Sequence, residues 1–243
     1  MAPLPKTNSD IAREWDDIAV ERFNQLFSGE DRTYNEVLCP LFVHETSKRG
    51  TDLKVADVGC GLGFLTKALS EVSSEVVGVD ISQKSLIMAQ ERNGAENIRY
   101  IFGEVESVNI APVDLCVANM FLMDCLNIDS VVDSISRLIK RGGWLLVSIP
   151  NPFFMPRYWG YERNSWFSYN KEIVVEMPFR TSTTGVGIYK TTHVHRPVSF
   201  YINALCRHGF ELEEYREITG VVIPKRNIGK YPRHLFFVFK RSN

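Results

Sequence analysis

Two carboxylates and three alternating glycines stand at spacings that suit the capture of a small ligand. The chain reads Val55-Ala56-Asp57-Val58-Gly59-Cys60-Gly61-Leu62-Gly63, and after a helix-like stretch Val76-Val77-Gly78-Val79-Asp80. A short apolar strand thus runs into a turn with glycine at every second position, and a second strand ends in an acid. Glycines without a Cβ let the backbone turn sharply and approach a ligand closely. An acid about 20 residues further on sits where one carboxylate can hold both hydroxyls of a ribose. The pattern predicts a nucleoside-containing cofactor.

A dinucleotide pyrophosphate favours G-x-G-x-x-G, whereas Gly59, Gly61 and Gly63 follow G-x-G-x-G with Asp57 ahead of them. A carboxylate there opposes a pyrophosphate but suits an ammonium or sulfonium group. The run Asp57 to Gly63 resembles the first motif of the class I S-adenosylmethionine-dependent methyltransferases, and Asp80 matches the acid ending that family's second strand. The resemblance covers Leu53 to Pro150; a glycine turn of some other α/β protein is the alternative. It implies S-adenosyl-L-methionine as cofactor, with S-adenosyl-L-homocysteine as product. It also implies a site built from Asp57, Gly59, Cys60, Gly61, Gly63, Asp80 and Ile81. Glu104, with the Val105 backbone, stands at the end of strand three, where the family places an acid against adenine; Glu106 is the alternative. Asn119 and Met120 end strand four and should flank the methionine portion.

Methyl transfer from a sulfonium proceeds largely by alignment, and a base is needed only where the acceptor must lose a proton. His193 and His195 in Thr192-His193-Val194-His195-Arg196-Pro197 alternate, so an extended strand puts them on one face. Either can serve as general base, with His195 ahead of His193; a packing role for His195 at the helix start is the alternative. The aromatic stretch from Phe153 to Tyr169 offers Tyr158, Trp159 and Trp166 as walls of an acceptor pocket, or as the core of a small lid. Trp15 and Tyr34 are candidates to close over the cofactor, and Arg32 to meet its carboxylate. Asn151-Pro152-Phe153-Phe154 is similar to the Asn-Pro-Pro-Tyr/Phe motif of amino-methyltransferases, but it follows strand five instead of strand four and lacks the second proline.

The elements that must position these residues alternate. Helices are expected at Ser9–Phe27, Tyr34–Thr46, Phe64–Val72, Gln83–Arg92, Asp129–Lys140 (closed by Arg141-Gly142-Gly143) and Val198–His208. Strands are expected at Leu53–Asp57, Glu75–Asp80, Ile98–Phe102, Val113–Ala118, Trp144–Ile149, Glu211–Ile218 and Leu235–Lys240. Strand–helix alternation implies right-handed crossovers and a parallel sheet. The resemblance makes this a Rossmann-like α/β fold: a seven-stranded, mostly parallel sheet with an antiparallel last strand and helices on both faces. A single domain is expected, with an N-terminal helical cap (1–50), a cofactor-binding core (51–150), an aromatic-rich insertion or lid (151–196) and a C-terminal helix and hairpin (197–243).

Composition bounds the rest. With 243 residues, 44% hydrophobic, 23% charged and a net charge of −1, the chain suits a globular domain without global attraction to nucleic acid or anionic membrane. No apolar run reaches the ~20 residues of a membrane helix, and the N-terminus lacks a signal-peptide core. Five scattered cysteines and five histidines form no metal-binding spacing, which predicts reduced thiols, no metal and a cytoplasmic location. The basic cluster Lys225, Arg226, Lys230 and Arg233 reads as a solvated hairpin loop. The expected function is methyl transfer to O, N or C of a small organic acceptor by a monomer or homodimer. A nucleic-acid or protein methyltransferase, a non-catalytic cofactor-binding protein and an NAD-dependent oxidoreductase are the alternatives.

Overall fold

In the computed structural model, which describes residues 5–179, 188–221 and 231–243, one sheet carries the architecture. Its strands are β1 (Lys54–Val58), β2 (Glu75–Asp80), β3 (Ile98–Phe102), β4 (Val113–Asn119), β5 (Ile139–Pro150), β8 (Phe210–Ile218) and β9 (His234–Arg241). Their order is β3-β2-β1-β4-β5-β9-β8, and β9 pairs antiparallel with both β5 and β8. The remaining strand pairs are parallel.

Central strands carry apolar side chains on both faces, as a sheet covered on both sides requires. Leu115, Val117, Leu146, Phe236 and Val238 join one buried cluster; their neighbours Cys116, Ala118, Leu145, Val147 and Phe237 join the other. The first face is covered by α1 (Asn8–Phe27), α2 (Cys39–Ser47) and α3 (Phe64–Ser70). The second is covered by α5 (Ile128–Leu138) and α7 (Val198–Arg207); α4 (Gln83–Asn93) follows β2. A capping box between Thr7 and Asp10 starts α1, and the Ser82 hydroxyl, accepting from Ser85 N–H, starts α4.

Most expected element ends fall within two residues of those observed, and two differences go further. The helix expected over Tyr34–Thr46 opens with a π-helical turn, Tyr34–Leu38, ahead of α2. Helix α5 ends at Leu138, and Arg141-Gly142-Gly143 lies inside β5 instead of closing the helix. The reason is a register shift: Ile139 already pairs with Val113, while Trp144 pairs with Leu115. The intervening bulge needs Gly142 at φ 74°, and Gly143 packs where a Cβ would stand 2.7 Å from the Asp114 carbonyl.

Between β5 and α7 the chain forms α6 (Met155–Trp159) and a separate two-stranded antiparallel sheet, β6 (Ile173–Pro178) with β7 (Lys190–His195). Charged groups on and before α1 fasten it. Glu14 accepts from the Thr192 N–H (2.6 Å) and hydroxyl (2.9 Å), and Lys6 bridges Glu14 and Glu176 at 2.6 and 2.7 Å.

Phe42 of α2 is fully buried and meets Phe236 edge-on at 5.1 Å between ring centroids. Phe42→Ala should lower unfolding free energy by about 3–5 kcal/mol, measured by urea denaturation; a loss under about 1 kcal/mol would mean that this junction does not hold the cap to the sheet.

Candidate functional site

The strand order reverses between β1 and β4, the position where open α/β sheets leave a crevice at their carboxyl ends. A cavity of about 320 Å³ opens there, within the usual range for small-molecule sites. Asp57, Gly59, Cys60, Gly61, Asp80, Ile81, Glu104, Val105, Asn119 and Met120 line it. Gly63 does not: a Cβ there would meet the Tyr100 hydroxyl at 2.2 Å, so this glycine serves the packing of the turn.

The turn is fixed by backbone bonds. Gly59 and Cys60 N–H groups donate to the Val79 carbonyl at 2.8 and 3.1 Å, and Gly61 N–H donates to Asp80 Oδ2 at 2.7 Å. All three glycines have positive φ. Gly61 is the one that opens outward: a Cβ there would meet nothing within 4 Å. Asp80 Oδ1 also accepts from Ser82 N–H at 2.8 Å. The Ile81 N–H also acts on this carboxylate, which still has lone-pair capacity for a ligand hydroxyl. Burial raises the Asp80 pKa.

Asp57 is buried beneath the turn and accepts from the Thr66 hydroxyl at 2.7 Å. Burial, with a smaller contribution from the Asp80 charge, raises its pKa to about 7. Glu104 is exposed at the rim and Val105 is buried. Met120 is the one non-glycine among the described residues with positive φ, 55°. Its N–H reaches the Ser148 carbonyl (3.0 Å) and hydroxyl (3.1 Å), and that hydroxyl donates to Asn119 Oδ1 at 2.7 Å. Ser148, on the neighbouring strand, thus holds the turn after β4, and only the pairing of β4 with β5 reveals it.

The far end of the cavity is formed by α6, β7 and the start of β9. Tyr158, Trp159 and His193 line it; Trp166 does not, because it packs with Tyr161 against Ile173, Val175 and Met177. His193 is 7% exposed and stacks on Trp159 at 4.1 Å, and its Nε2 has no hydrogen-bond partner. Burial and His195 push its pKa down to about 3. His195 lies outside this cavity. Its Nε2 donates to the Tyr169 carbonyl at 3.0 Å, and Tyr161, Phe167 and Tyr169 surround its ring. His193 therefore faces the chamber, and His195 packs among the aromatic residues beside it. Arg196 is equally structural, paired with Glu172 and donating to the Leu122, Cys125 and Leu126 carbonyls.

Trp15 and Tyr34 line the cavity, while Arg32 is exposed and pairs with Glu36. Asp124 is a further cavity acid, whose pKa burial, Glu14 and Asp80 raise well above the ordinary range; nothing in its local sequence marks it. Arg233, expected in a solvated loop, instead lines the cavity and is 3% exposed. Lys225, Arg226 and Lys230 fall outside the described residues. Asn151 fixes its own turn, donating to the Pro232 carbonyl and accepting from Phe153 N–H. Among the described residues no cluster of three or more His, Cys, Asp or Glu is placed to hold a metal, and no helix is long and apolar enough to cross a membrane.

Residues 56–147, which span the glycine turn, Asp80 and the β4 turn, match the family described as Methyltransferase domain. These 92 of the chain's 243 residues are similar to S-adenosylmethionine-dependent methyltransferase domains. Among its curated relatives, the ubiquinone biosynthesis O-methyltransferase of Leptothrix cholodnii is 29% identical over 116 residues, 45% of this chain and 49% of that protein. The malonyl-[acyl-carrier protein] O-methyltransferase of Erwinia pyrifoliae is 28% identical over 129 residues, 50% and 48% respectively. The chain spans about half the length of these relatives. An S-adenosylmethionine-dependent methyltransferase of Clostridium acetobutylicum shares the fold, with a TM-score of 0.62 over 92% of this chain and 98% of its own, at 14% identity.

The open face of Gly61, the free lone pairs of Asp80 and the buried acid beneath the turn fit the domain's cofactor. The raised pKa of Asp57 sets a pH dependence. Below pH 7 this carboxylate holds a proton, and a cationic ligand that favours the ionised form must displace it. Affinity for S-adenosylmethionine should therefore fall by up to about tenfold per pH unit below 7 and level off above it. Calorimetry between pH 6 and 8 checks this, and Asp57→Asn should flatten the profile.

Proposed function

We propose that this protein transfers a methyl group from S-adenosylmethionine to an oxygen of a small organic acceptor. The observation that carries the reading is the single chamber, with the glycine turn and Asp80 at one end and the aromatic–histidine pocket at the other. Asp80 would hold the ribose hydroxyls, Gly61 would let the nucleoside lie against bare backbone, and Glu104 with Val105 would border the adenine. Asn119 and Met120 would flank the methionine portion, and Asp57 would supply negative charge beneath the glycine turn. When bound, the cofactor supplies a methyl group whose bond to sulfur breaks as the bond to the acceptor oxygen forms, leaving a neutral thioether.

The choice of oxygen draws on the two curated relatives, both O-methyltransferases, and on the unpartnered His193 Nε2. A buried nitrogen without a partner is costly to leave so, and an acceptor hydroxyl would satisfy it. With a pKa near 3, His193 is neutral at every pH of interest. It would orient the hydroxyl through a hydrogen bond and draw its proton only as the methyl arrives. Trp159 would fix the imidazole by stacking, and the 151–196 segment would close the acceptor end.

Four measurements test this reading. Incubation with methyl-labelled S-adenosylmethionine and a panel of phenols, hydroxy acids, amines and carboxylates should yield S-adenosylhomocysteine and labelled ether or ester; cofactor binding with no product across the panel would favour a binding protein. Asp80→Ala should weaken S-adenosylhomocysteine binding by about 10–100-fold, as loss of charge-assisted bonds to two hydroxyls implies. His193→Phe, which keeps the stack and removes the nitrogen, should lower kcat/KM by about 10²-fold at unchanged cofactor affinity. The wild-type kcat/KM profile should show no His193 inflection above pH 5.

A further inference from the structure

Arg233 is a buried cation with no carboxylate beside it. It is 3% exposed, and every aspartate and glutamate of the chain lies within the described residues, yet none forms an ion pair with it. Its Nε donates to the Thr219 carbonyl at 3.0 Å; its Nη2 donates to the Val221 carbonyl (3.0 Å) and the Thr33 hydroxyl (3.2 Å). These acceptors orient the guanidinium without neutralising it. Asp31, whose charge reaches it, is paired with Arg22 at 2.8 Å. The contrast with Arg196, equally buried but paired with Glu172, separates a structural arginine from one that lacks its counter-ion. A buried charge is retained at high cost unless something pairs with it.

The surroundings are shaped for this side chain and for a ligand. A Cβ on Gly220 (φ 77°) would stand 2.5 Å from Arg233 Nη2, so glycine makes the room. His234, next along β9, also lines the cavity, and its buried Nδ1 has no hydrogen-bond partner. Trp159 Nε1 and His193 Nε2 share that condition. Three of the seven buried side-chain atoms without partners among the described residues therefore belong to this one cavity.

We infer that Arg233 is the specificity residue of the acceptor pocket, and that the acceptor carries a carboxylate or equivalent oxyanion which pairs with it. The inference rests on the methyltransferase reading. The cofactor's own carboxylate is the other anion that could enter. Strand order argues against it: Arg233 immediately precedes β9, which lies three strands from β1, about 14 Å between backbones at ordinary strand spacing. That is beyond the turn after β4, where the methionine portion would end.

The test titrates benzoate, 4-hydroxybenzoate and hexanoate, each beside its primary amide, into protein saturated with S-adenosylhomocysteine. Wild type should bind at least one acid tenfold or more above its amide, R233Q should lose that preference and R233K should retain part of it. Affinity for S-adenosylhomocysteine should stay within twofold in all three. Wild-type protein that binds no acid in preference to its amide would overturn the inference, and this arm needs no variant. A preference that survives in R233Q would overturn it as well. A tenfold loss of S-adenosylhomocysteine binding in folded R233Q would assign the arginine to the cofactor and overturn it too. Wild-type protein that fails to bind S-adenosylhomocysteine at all would instead remove the underlying methyltransferase reading.

Discussion

The carboxylate of Asp80 organises the site. One oxygen receives the Gly61 N–H and the other the Ser82 N–H, so a single side chain pins the glycine turn of β1 and the entry to α4. Backbone donors buried without partners are costly, and the left-handed conformations of Gly59, Gly61 and Gly63 leave few alternative arrangements. The turn is thus set before any ligand arrives, and its open side faces the chamber. An acid in this position has a structural and a ligand-binding role at once, since a carboxylate accepts more bonds than the backbone here provides.

The N-terminal helix extends this constraint. Asp16 accepts from the Ser82 hydroxyl at 2.6 Å and Lys84 N–H at 3.0 Å, tying α1 to the same loop that Asp80 holds. Two residues earlier, Glu14 ties α1 to β7. The helix therefore spans from the nucleoside end of the chamber to the sheet that carries His193. Asp57, Asp80 and Asp124 line the chamber with pKa values that burial raises, and Arg233 lines it as well. A cationic donor would draw these acids toward their ionised forms, and an anionic acceptor would pair with Arg233.

Local patterns carried the core of this structure in the sequence. Strands β2 and β3 stand at the expected residues, and the antiparallel last pair followed from the family resemblance. The glycine turn and its acids were readable because glycine spacing and strand-end position are short-range signals. Arg141-Gly142-Gly143 misled because a bulge and a helix stop both call for glycine, and only the pairing of Ile139 with Val113 decides between them. His193 and His195 are indistinguishable by alternation, since both lie on one face of β7; what separates them is whether Trp159 or Tyr169 stands opposite. Arg233 sat among basic neighbours that suggested solvent, and its burial depends on Thr33, 200 residues away. Long-range packing of this kind leaves no mark on the local sequence.

A crystal structure of the protein grown with S-adenosylhomocysteine tests the account most directly. It should place the ribose hydroxyls within hydrogen-bond distance of Asp80, the nucleoside against Gly61 and the sulfur pointing toward His193. A ligand seated elsewhere, or a chamber that stays empty at saturating ligand, would contradict it.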